Sequence, residues 1–120
     1  MSYRDKLRKD LTDDEGKRLM LYRCTAGKQT IGIGHNIEDR GISEAVCELM
    51  FQEDIDIAER DALALFPGLY SYSDRRAAAL INMSFQLGLQ RLGDFRKMRL
   101  AVSRGDWNAA ADEALDNATG

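Results

Sequence analysis

The chain has 120 residues, 44% hydrophobic and 31% charged, with a net charge of −3 and a single proline, Pro67. This balance suits one compact domain with a real core and excludes a disordered or low-complexity chain. An acidic chain without a basic patch disfavours nucleic acid as the main partner, and two cysteines with one histidine are too few for a disulfide framework or a metal centre.

No long apolar run offers a membrane-spanning segment or a secretory signal, since the chain opens with the polar run Met1-Ser-Tyr-Arg-Asp-Lys. The expectation is a soluble monomer made in the cytoplasm, with no metal or organic cofactor and no membrane insertion.

Tyr3, Leu7 and Leu11 recur at helical spacing, and Gly16 just beyond is placed to stop that helix in the left-handed region. Glu15 then falls in its last turn. Leu19–Arg23 and Gln29–His35 read as two strands around a Thr25-Ala-Gly-Lys28 turn, with Gly32 and Gly34 marking strong twist or close backbone approach. After a polar Glu38-Asp-Arg-Gly41 loop, Ser43 caps a helix running towards Leu65, and Phe66-Pro67-Gly68 ends it. Ser73 caps the next helix, 74–87, whose Ala77–Ile81 stretch is apolar almost all round and reads as buried; Gly88 closes it. Helices over 95–102 and from Asp106 to about Leu115 follow. The fold class is α+β and mostly helical: one domain over 1–120, with a small hairpin lobe at about 14–55 and a helical lobe for the remainder.

Glu15-Gly16, Tyr22, Thr25, Gly27 and Thr30-Ile-Gly-Ile-Gly-His-Asn36 together resemble the phage-type lysozymes, or endolysins, in residue type and spacing. Asp54, Arg75-Arg-Ala-Ala78, Ile81-Asn-Met83, Phe85-Gln-Leu-Gly88, Phe95 and Gly105-Asp-Trp107 extend the resemblance over almost the whole chain. It implies a lysozyme-like fold in which the hairpin lobe forms one side of a cleft. The implied enzyme is a muramidase cutting the β-1,4 bond between N-acetylmuramic acid and N-acetylglucosamine in bacterial peptidoglycan, in phage or prophage lysis. Such an enzyme is made in the host cytoplasm and reaches the wall after release. By the same resemblance Glu15 is the general acid, Thr30 holds the attacking water, and His35 pairs with Asp54 to brace the lobe. Asn82 and Gln86, four apart on one helix face, line the saccharide cleft or brace its wall.

Most members carry aspartate where this chain has Cys24, and a branch of the family resembles it in having cysteine within Tyr22-Arg-Cys-Thr-Ala-Gly-Lys28. A reference thiol near pKa ~8.5 is mostly neutral at pH 7, whereas aspartate near ~3.9 is charged. Cys24 can orient water as a weak acceptor, ionise in electropositive surroundings, or attack the anomeric carbon itself. The retained Thr30 favours water activation. The family also usually continues past the Trp107 helix into a helical hairpin carrying a tryptophan and an arginine that supports the glutamate, whereas this sequence ends at Gly120. Two other readings stand beside hydrolysis: a non-catalytic peptidoglycan-binding remnant, and a lytic transglycosylase, which needs no water-positioning pair. Cys47, on a helix among apolar neighbours, reads as core. Arg75 and Arg76 read as a solvated or capping pair, and Trp107 as packing at a helix start.

Overall fold

The computed structural model describes residues 2–119, and the side chains of 2–116. By internal contacts the chain divides into two compact units, Met1–Cys47 and Glu48–Gly120. The first of these takes in the N-terminal helix as well as the hairpin.

In the first unit, helix α1 (Tyr3–Glu15) starts on Ser2, whose hydroxyl accepts the Asp5 N–H. Lys6–Asp10 and Lys9–Asp13 pair along its surface at 3.2 and 2.9 Å, and none of its residues is buried. Gly16 ends it at φ 75°, ψ 162°. That is not the left-handed helical well expected from the sequence but an extended conformation at positive φ that is essentially reserved for glycine.

The hairpin has three strands, where the sequence reading has two. Strand β1 (Arg18–Arg23) pairs antiparallel with β2 (Gln29–Gly32), and β2 with β3 (His35–Asn36). The run 29–35 breaks because Gly32 and Gly34 take φ of 73° and 69°, which folds the chain back so that Ile31 faces His35 and Thr30 faces Asn36. The polar segment after it is not a loop but a single helical turn, α2 (Ile37–Arg40), capped by the Asn36 side chain on the Asp39 N–H.

Helix α3 (Glu44–Leu65) begins where Ser43 accepts the Val46 N–H at 3.2 Å. Cys47 on it is exposed, contrary to the core position expected from its apolar neighbours. Beyond a short turn at Leu69–Ser71, helix α4 (Asp74–Gly93) starts on the Ser73 hydroxyl. Gly88 does not close it. With φ 83° and ψ 166° it kinks the chain, which resumes helix through Gly93. Nor is α4 buried all round, since Leu80, Ser84 and Leu92 face inward while Ala78 and Ala79 are exposed. Helices α5 (Arg96–Ser103) and α6 (Trp107–Thr119) pack on each other.

The hydrophobic core lies in the second unit. Phe66, Leu69, Leu92 and Met98 are its fully buried large side chains, joined by Leu80, Val102 and alanines 62, 101 and 110. Trp107 packs against this cluster with Tyr72 edge-on at 4.9 Å and the Arg76 guanidinium over its ring at 4.6 Å. Arg76 is therefore a cation–π partner, not simply a solvated or capping residue.

Candidate active site

Three of the residues singled out for chemistry, Glu15, Cys24 and Thr30, fall in the first unit, and its turns set their positions. Glu15 is exposed at the end of α1, with its carboxyl laid against the backbone of Gly34 in the β2–β3 turn. A Cβ at Gly34 would come within 3.0 Å of both Glu15 Cδ and Oε2. The second glycine of the Gly-Ile-Gly run is thus what lets the acid approach the hairpin.

Cys24 opens the β1–β2 turn. Its N–H donates to the Lys28 carbonyl at 3.0 Å, and its own carbonyl accepts the Gly27 N–H at 2.8 Å, with Gly27 at φ 80°. The Arg23 guanidinium clips the same turn by donating to the Gly27 carbonyl at 2.9 Å. This geometry presents the half-buried thiol to the backbone N–H groups of Lys28 and Ala26 and to the Thr30 hydroxyl. The two amides, that of Lys28 foremost, hold the thiol below its ordinary pKa, while desolvation works against them.

Thr30 is 2% exposed, and its hydroxyl donates to the Lys28 carbonyl at 2.9 Å. It has one proton, so in this rotamer it offers Cys24 or a water only its lone pairs; serving a thiolate requires it to turn.

Lys28 is not a free counter-charge for the sulfur. It reaches Asp39 at 3.2 Å and Glu38 at 3.6 Å, and the Asp39 hydrogen bond foremost raises its pKa. Asp39 is held low in turn, first by the Asn36 amide and then by Lys28. Glu38 also accepts the Gln29 N–H at 3.2 Å. This clasp between α2 and the hairpin was missed by sequence reasoning. Its available signal was the Asn36-Ile-Glu-Asp39 spacing, which is that of a capped helical turn.

His35 Nε2 lies 2.6 Å from the Gly41 carbonyl. Since a carbonyl only accepts, that nitrogen carries the proton. Asp54 belongs to the second unit, where it lines a hollow with Asp61 and Ser84. Asn82 and Gln86 stand together on the wall of another hollow, of about 390 Å³, whose remaining lining is apolar and includes the edge-on pair Phe51–Phe85 at 6.1 Å. An amide pair beside aromatic rings is a surface suited to a sugar face.

The sequence matches the phage lysozyme family over residues 12–118. It is similar to probable T4-type lysozymes 1 and 2 of Dictyostelium discoideum, at 27% and 29% identity over 88% of this chain and 79% of each relative. It is also 28% identical to the pre-baseplate central spike protein Gp5 of Enterobacteria phage T4, over 89% of this chain and 24% of that protein.

Proposed function

From a chain that belongs to the phage lysozyme family, and is thereby a glycoside hydrolase acting on peptidoglycan, we propose a muramidase cleaving the β-1,4 bond between N-acetylmuramic acid and N-acetylglucosamine. Glu15 protonates the leaving glycosidic oxygen. Cys24, as thiolate, takes a proton from the water that attacks the anomeric carbon, and a lone pair of Thr30 fixes that water's orientation. Asn82 and Gln86 bind the saccharide, and the product serves phage or prophage lysis of the wall.

The observation that most supports this reading is the donor set around the Cys24 sulfur. A thiol replacing a carboxylate works as a base only if its anion is stabilised, and the Lys28 and Ala26 amides support that.

Release of reducing sugar from purified peptidoglycan is the test. The wild type should release it, and Glu15→Gln should reduce the rate by about 100-fold or more, as loss of a general acid does. Equal rates for the two would remove Glu15 from the chemistry. Anhydro-sugar products would replace hydrolysis by transglycosylation, and net retention of anomeric configuration would make Cys24 the nucleophile.

A further inference from the structure

Residue 28 is the joint on which both groups of the proposed water-activating pair hang. Its carbonyl accepts the Cys24 N–H at 3.0 Å and the Thr30 hydroxyl at 2.9 Å, and its own N–H faces the Cys24 sulfur. Immediately before it stands Gly27, at φ 80°, about which the chain turns with no side chain to restrain it.

Lys28 is held from outside the turn by its side chain. The ammonium reaches Asp39 Oδ1 at 3.2 Å and Glu38 Oε2 at 3.6 Å, both on α2. Each carboxylate spends its other oxygen on the frame. Asp39 Oδ2 accepts from the Asn36 amide at 3.0 Å, and Glu38 Oε1 accepts the Gln29 N–H at 3.2 Å. Asn36 also caps the turn by accepting the Asp39 N–H at 3.1 Å. That division of oxygens fixes how both carboxyls face the ammonium. Pairs this exposed, with side chains 41–50% open to solvent, add little to stability. Their effect is one of position.

We propose that Asp39, seconded by Glu38, is a positioning residue for the reaction: by gripping Lys28 it holds the peptide that aims the Cys24 thiol and the Thr30 hydroxyl. This rests on the reading of Cys24 as the base. Charge and position pull the thiol in opposite directions. Asp39→Asn removes a negative charge and releases an ammonium beside the turn, and by charge alone both changes favour the thiolate. A turn set loose from α2 instead no longer keeps the Lys28 and Ala26 amides on the sulfur, and the thiol becomes harder to ionise.

In the full chain carrying Cys47→Ser, so that a single thiol reports, the pH dependence of alkylation by iodoacetamide follows Cys24 without turnover. Asp39→Asn should raise the Cys24 pKa towards that of a free thiol, with the circular dichroism spectrum unchanged. On purified peptidoglycan its kcat should fall about tenfold with KM little altered. If Asp39→Asn disturbs the fold, Glu38→Gln, which leaves the Asn36 cap in place, should move the thiol in the same direction. A Cys24 pKa that stays put or falls overturns the proposal, and so does an unchanged kcat in a variant whose thiol pKa has risen. A parent chain that does not hydrolyse peptidoglycan fails the hydrolytic reading separately, because alkylation still measures whether α2 holds the thiol.

Discussion

Cys24 brings to its turn a group whose ordinary pKa is several units above that of a carboxylate. The amides of Lys28 and Ala26 lower it, so its anion forms at a pH below that of a free thiol. A depressed thiol contributes stability that is complete above the unfolded thiol's pKa and is lost as pH falls through the folded one. If the thiolate is the base, hydrolysis by the wild type rises with pH through that value. Cys24→Asp should move the rising limb several pH units towards acid, while Cys24→Ser should lose it; pH–rate profiles of the three proteins check this. Gly34 makes a second prediction at this scale. An alanine there must adopt φ 69°, at a cost of roughly 1–2 kcal/mol, and its Cβ would press on Glu15 at 3.0 Å. The carboxyl moves aside, and a displacement of ~1 Å can cost about 100-fold in rate. Gly34→Ala should therefore retain its circular dichroism spectrum while losing most of its turnover.

At the level of elements, local chemistry was legible and depth was not. The caps at Ser43, Ser73 and Asp106 hold their helices as the sequence indicates, because a side-chain oxygen serving an N–H three residues on is a local matter. The β1–β2 turn was legible for the same reason. The strand run over 29–35 was misread because glycine spacing alone does not distinguish twist from a reversal, and here Gly32 and Gly34 reverse it. Burial depends on what packs opposite. Cys47, Ala78 and Ala79 have apolar neighbours in sequence yet face solvent, whereas Leu92, beyond the Gly88 kink, is fully buried. Leu92→Ala should accordingly destabilise by about 3–5 kcal/mol, while Cys47→Ser should stay within about 0.5 kcal/mol, as read by denaturant unfolding. Of the candidate site, the choice of Glu15, Cys24 and Thr30 came from resemblance. The contact of Glu15 with Gly34 and the Lys28–Asp39 clasp were not legible, because each depends on how strands and turns meet.

For the molecule as a whole, a net charge of −3 is set against an anionic wall polymer. Long-range repulsion slows encounter when the Debye length is ~30 Å at 0.01 M salt and is largely screened at ~10 Å in 0.1 M. The initial rate on purified peptidoglycan should therefore climb several-fold across that interval. A steady fall from the lowest salt would show instead that a local cationic surface governs binding. The distribution of packing matters as much as charge. Every buried hydrophobic residue among those described lies at Ala58 or later, and the unit carrying Glu15, Cys24 and Thr30 has only Thr30 fully enclosed. The half proposed to do the chemistry is thus secured by turns, caps and surface ion pairs, and the other half by oil. Warming such a chain would silence it before melting it, with the hairpin fraying while the helices of the second unit still hold their shape.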